Sequence, residues 1–171
     1  MRLKKWYKIW SNIYKINETE LIYKIDEIIS LNTKVFKKSY NEWYFFVNKE
    51  LYEVRLQKNN NKYIVTFVQT EISGEETSDI TDKNVPFKVM DGIAVILKKL
   101  IEEENPLEIK FSVYNNIKKA NMFKKIVINV IKKHNIFSNY KLITGKADNL
   151  LYKLPNDMNI EGIKFTLKRS K

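Results

Sequence analysis

EWYFFVNKELYEVRLQKNNNKYIVTFVQ, residues 42–69, is the stretch whose pattern sets the fold class. Trp43 to Val47 is an aromatic run. Tyr52, Val54 and Leu56 alternate with Glu53, Arg55 and Gln57. The alternation resumes at Tyr63, Val65 and Phe67, after the turn-forming tract Lys58 to Asn61. Successive side chains of a strand point to opposite faces, so this period of two predicts a three-stranded antiparallel meander with one dry face.

On the C-terminal side, Ser73 to Lys83 is polar and acidic and reads as a loop. Its cluster Glu71, Glu75, Glu76 and Asp79 lacks the spacing of a calcium loop. Pro86 opens a helix with the apolar stripe Val89, Ile93, Ile96, Leu97 and Leu100, which stops before Asn105–Pro106. Leu107, Ile109, Phe111 and Val113 then alternate with polar residues as a strand. Asn115 or Asn116 caps a further helix, about Ile117 to His134, whose core face is Ala120, Phe123, Val127, Val130 and Ile131. Short strands are predicted at Tyr140 to Thr144, Leu151 to Leu154 and Ile163 to Leu167.

On the N-terminal side, Leu3, Trp6, Tyr7, Trp10 and Tyr14 recur at helical spacing. Asn17 and Glu20 form a capping box ahead of the stripe Leu21, Ile22, Ile25, Ile28 and Ile29. The expected order is α-α-β-β-β-α-β-α-β-β-β. It implies an α+β fold, one domain with an antiparallel or mixed sheet packed against helices and an N-terminal helical segment. The expected division is a helical arm over residues 1–35 and an α+β domain over 36–171.

The 171 residues are the size of one domain and contain no Cys, which excludes disulfides and thiolate metal sites and suits a reducing or redox-indifferent compartment. No apolar run is long enough to span a bilayer, and Met1 to Trp10 has no signal-peptide core. Only four Gly occur, at 74, 92, 145 and 162, too few for a dinucleotide fingerprint or a phosphate-binding loop. The only His, His134, follows Lys132 and Lys133, a poor setting for a general base. Glu102, Glu103, Glu104, Asp148 and Asp157 form no spaced pair on strand ends. No catalytic residue, metal site or cofactor is expected.

The net charge of +11 is unevenly placed. Residues 1–40 carry +5, residues 41–115 carry −4, and residues 116–171 carry +10. Basic ends of this kind favour a polyanion or an acidic protein surface. No acidic residue occurs from Val113 to Phe137, where six lysines do: Lys118, Lys119, Lys124, Lys125, Lys132 and Lys133. Lys118, Lys125 and Lys132 lie seven apart and share a helix face. Lys118, Lys119, Lys125, Lys132 and Lys133 are the expected contacts to nucleic-acid phosphates, which lysines engage without reading sequence. The competing reading is a solvated face in a Lys-rich chain. Trp6 and Trp10, with Lys4, Lys5 and Lys8, are the expected partner-binding residues, or else a helix packed on its own domain.

The block FKVMDGIAVILKKLIEEENPLEIKFS at 87–112, the helix opening NIKKANMF at 116–123 and the strand YEVRL at 52–56 resemble a family of small proteins of tailed phages. The likeness spans about residues 50–135. Where that family has Ser-Arg at the opening of the second helix, this chain has Asn116 and Ile117, and where it has Leu-Tyr, Met122 and Phe123. The Gly-Asn pair before the first helix is missing. The resemblance implies a viral origin and a place in the host cytoplasm or the virion. The leading expectation is a non-enzymatic basic protein that binds DNA or RNA without sequence preference. The alternatives are a virion structural or scaffold protein docked on acidic partner subunits, and an enzyme of acyltransferase-like or nuclease-like type.

Overall fold

Two tight turns set the register of the meander. Asn48 and Lys49 have φ of 49° and 67°, and Asn60 and Asn61 have φ of 50° and 62°. Paired positive φ values at the two central residues make the hairpin turn whose twist matches the flanking strands. Asn tolerates that conformation better than most residues. The second turn is therefore only Asn60–Asn61, and the strands on either side run further than the alternation alone predicts.

The computed structural model describes residues 17–70, 84–147 and 160–170. Among them, the chain forms helices α1 (Glu18–Ile28), α2 (Val85–Glu104) and α3 (Ile117–Lys133). The strands are β1 (Val35–Ser39), β2 (Glu42–Val47), β3 (Glu50–Asn59), β4 (Lys62–Thr70), β5 (Glu108–Asn116), β6 (Tyr140–Lys146) and β7 (Ile160–Arg169). They make one sheet in the order β1-β2-β3-β4-β5-β7-β6. Every neighbouring pair is antiparallel except β4 and β5, which are parallel and joined through α2. The molecule is a single α+β domain with a mixed sheet, as the sequence leads one to expect. The predicted N-terminal helix with Trp6 and Trp10, the acidic loop at 73–83 and the strand at 151–154 lie outside the described residues.

The meander has four strands, because β1 precedes the three that alternation reveals. β1 hides in the sequence because Lys37 occupies its covered face. The Lys37 ammonium lies 5.2 Å from the centre of the Trp43 ring and 3.2 Å from Glu103 Oε2. Its stem covers apolar surface while its head stays wet, a common arrangement at a sheet edge.

All three helices lie on one side of the sheet. Trp43, Phe45, Val47, Tyr52, Val54, Leu56, Tyr63 and Val65 point to that side, as do Ile109, Phe111, Phe165 and Leu167, and all join one core with the helices. Helix α2 covers the β1–β3 half and α3 the β5–β7 half. Helix α1 packs on both helices and places Leu21, Ile25 and Ile29 in the same core. Residues 18–29 thus share the core of the α+β domain.

Helix α2 crosses the sheet closely at Gly92. A Cβ on Gly92 would overlap the Phe45 ring, reaching 2.6 Å from Cζ. Phe45 is wholly buried and stacked on Tyr52 at 5.6 Å, so it has little room to retreat. An Ala in an exposed helix would gain about 1 kcal/mol over Gly. Overpacking in a tight core costs about 1–3 kcal/mol. Gly92→Ala should therefore lower stability on balance, measured as a fall in urea midpoint at constant m value. A raised midpoint would show that Phe45 can step aside.

Candidate nucleic-acid interface

Helix α3 presents the lysines that the sequence singles out, and the structure divides them. Phe123, Ile126, Val127 and Val130 form its buried face. Lys125 and Lys132 are exposed in one row on the outer side, with position 118 in the same row by spacing. Position 119 falls instead in the row of Phe123, Ile126 and Val130. The side chains of Lys118 and Lys119 lie outside the described residues. Lys133 is engaged within the fold: its Nζ is 3.3 Å from Asp26 Oδ1 and donates to the Asp26 carbonyl at 3.1 Å. It ties the end of α3 to the end of α1, where a cation also suits the helix dipole.

His134, the next residue, has Nε2 3.2 Å from the Ile29 carbonyl. Burial pushes its pKa below the usual imidazole value, against the Ile29 hydrogen bond, which raises it. The ring is a structural clasp between α3 and the α1 terminus. A cleft of about 330 Å³ opens beside α2, lined by Leu31, Thr33, Lys34, Val95, Lys98 and Glu102. Lys98 in it pairs with Glu102 at 3.9 Å. Among the described residues, no group of three or more acidic or His side chains is placed to hold a metal ion.

The other side of the sheet carries cations that the sequence reading does not single out. No described element covers it. Strand register arranges its residues as a grid. One row runs Lys62, Glu108, Lys168, Lys141 across β4, β5, β7 and β6. The next runs Ile64, Lys110, Thr166, Ile143. A third pairs Ser112, Lys164 and Gly145. Across these four strands the uncovered face has five lysines and a single carboxylate, Glu108.

Glu108 is already shared, with Lys62 at 3.7 Å and Lys110 at 3.3 Å. Among the described residues, no carboxylate lies within ion-pair distance of Lys141, Lys164 or Lys168. Lys141 and Lys168 are direct cross-strand partners. Like charges placed opposite each other destabilise a sheet. Among the described residues, none apart from its chain neighbours comes within 4 Å of where a Cβ on Gly145 would stand.

Toward β1 the same face changes character. Phe36 stacks on Tyr44 at 5.1 Å, Tyr44 meets the edge of Phe46 at 6.0 Å, and Lys34 lies over Phe36 at 5.4 Å. Lys38 and Arg55 there are balanced by Glu42 and Glu53. The unbalanced charge is confined to the β5–β7–β6 end. The sequence does carry a signal for it, in the alternation Lys164-Phe-Thr-Leu-Lys168. The strand pairing that brings Lys141 beside Lys168 is what the sequence does not display.

No protein-family model matches the chain, and no match was found among curated proteins or solved structures.

Proposed function

We propose that the chain binds nucleic acid through its phosphates, without reading sequence, and that the uncovered sheet face is the main contact. The observation that carries this reading is the trio Lys141, Lys164 and Lys168. It sits on adjacent antiparallel strands, two of its members face each other, and among the described residues no carboxylate lies within ion-pair distance of it. A phosphate backbone supplies the counter-charge that the fold withholds. The outer row of α3, with Lys125, Lys132 and Lys118, is a second and smaller basic surface, on the opposite side of the molecule. The resemblance to small tailed-phage proteins supports a viral setting, in the host cytoplasm or the virion.

The test is the salt dependence of binding to DNA of random sequence. Each lost phosphate contact lowers the log–log salt slope by about 0.9 on duplex and about 0.7 on a single strand. Lys141→Ala/Lys164→Ala/Lys168→Ala should weaken binding on all sequences alike and flatten the slope by up to about 2–3. Lys118→Ala/Lys125→Ala/Lys132→Ala should do less. The reverse ranking would move the contact to α3. A wild-type chain that binds no strand at low salt would turn the reading to a virion protein docked on an acidic partner surface.

A further inference from the structure

The lysines of the uncovered face are interleaved with exposed apolar side chains. Ile64 is 49% exposed and Ile143 is 45% exposed. Register puts both in one row, Ile64–Lys110–Thr166–Ile143, three strand steps apart with Lys110 and Thr166 between them. Lysine-bearing rows flank that row on either side, Lys62, Lys168 and Lys141 on one and Lys164 on the other. Strands lie about 4.8 Å apart, so Ile64 and Ile143 are separated by roughly 14 Å across the face. Single exposed apolar residues are ordinary, but here two branched aliphatics share one row. Ile143 stands beside the uncompensated Lys141, Lys164 and Lys168, and Ile64 beside Lys62 and Lys110, which share Glu108. Together they form an amphiphilic strip.

A duplex would leave that strip unused. Its bases are stacked inside, and its major groove admits a helix or a two-stranded ribbon, not the flat of a seven-stranded sheet. A duplex lying on this face would meet the lysines along one line of phosphates and leave Ile64 and Ile143 against its backbone. A single strand has both parts the strip needs. Its unpaired bases offer apolar faces that any sequence shares, and its backbone follows the cations.

We infer that the polynucleotide this face takes is single-stranded, with bases laid on Ile64 and Ile143 and phosphates on the flanking Lys141, Lys164 and Lys168. This rests on the phosphate contact proposed above and adds to it the strandedness and a role for two isoleucines.

The experiment compares a short oligothymidylate, the matching oligouridylate and a random duplex of the same length, by fluorescence anisotropy with the full chain. Wild type is expected to bind both single strands more tightly than the duplex at equal salt. Ile64→Thr/Ile143→Thr keeps β-branching at both sites, and a thermal melt verifies that the fold is kept. That variant should lose about threefold to tenfold on the single strands, at an unchanged salt slope, with no change on the duplex. The lysine triple variant should lose affinity on all three and flatten the slope. Duplex binding as tight as single-strand binding would overturn the inference and leave the phosphate reading standing. So would single-strand affinity that ignores the isoleucine exchange. Binding to none of the three would overturn the phosphate reading itself, and this inference with it.

Discussion

Asp91→Ala is expected to remove about 3–5 kcal/mol of folding stability, a large share of the 5–15 kcal/mol that a domain usually holds. Asp91 sits in the middle of α2 and is 3% exposed. Its Oδ1 accepts from the Leu31 N–H at 2.6 Å, and its Oδ2 accepts from the Thr33 N–H at 2.9 Å and from the Thr33 hydroxyl. Those three donors belong to the segment that links α1 to β1. Leu31 holds a φ of 62° there, a conformation that a branched residue keeps only when its surroundings enforce it. Hydrogen bonds to a charged group contribute about 1.5–3 kcal/mol each, and the half-exposed segment lets water recover part of that loss. Asn is not a safe replacement. Each carboxylate oxygen faces a backbone N–H, so whichever way the amide turns, its NH₂ opposes one of them. Asp91→Asn should therefore still cost about 1.5–3 kcal/mol. Denaturant titration measures both. An Asn variant within 0.5 kcal/mol of wild type, the range of an ordinary surface change, would mean that the segment holds itself.

Asp91 also marks where reading the chain stops. The apolar stripe Val89, Ile93, Ile96, Leu97 and Leu100 identifies α2 correctly, but α2 is buried on more than a stripe. Pro86, Phe87, Met90, Asp91, Gly92, Ala94, Val95 and Ile101 are buried as well. Sheet below and α1 beside it enclose most of the helix, and periodicity records only the side that would be buried in a simpler packing. The meander was legible because β2, β3 and β4 each have one dry face and one wet face. β1 was not, because a lysine snorkels from its dry face. The break at Asn105–Pro106 was legible from local chemistry: Asn105 takes the left-handed cap with φ of 43° and Pro follows. On the functional side, helical spacing correctly separates Lys125 and Lys132 from the buried face. It does not reveal that Lys133 is spent on Asp26, since that contact joins residues 107 positions apart. The lysine grid on the sheet is a product of strand order. β7 inserts between β5 and β6, and no local pattern announces that insertion.

Lys141→Glu should raise stability and lower affinity at once, a pairing of signs that a merely structural lysine would not give. In the fold Lys141 and Lys168 stand directly opposite on β6 and β7. Replacing a like-charge pair by an opposite-charge pair is expected to stabilise by about 0.5–1 kcal/mol, given that cross-strand pairs contribute about 0.2–1 kcal/mol each. For a chain of this size that is a rise in Tm of about 1–4 °C, and it should fade as salt screens the exposed pair. Binding moves the other way, because one phosphate contact is lost and a negative charge is set beside the strand. A drop of about tenfold, or 1.4 kcal/mol, is expected at low salt. Lys168→Glu should lower affinity alike but gain less stability, because Glu108 is its cross-strand partner on β5 and would then face a like charge. Lys141→Glu/Lys168→Glu makes a like-charge pair of the opposite sign and adds Glu108 beside it, so its Tm should fall to wild type or below while its affinity falls further. That cycle separates the pair energy from the binding energy, since each single exchange creates the attraction and the double one removes it. A Tm lowered by Lys141→Glu would mean that the two lysines do not repel in the folded chain. Unchanged affinity in the double variant would remove this face from the contact. The trade of stability for charge is what the reading requires: the fold keeps two ammonium groups in opposition at a place where a single Glu would settle it better, and the gain from that arrangement is realised only when an anion arrives.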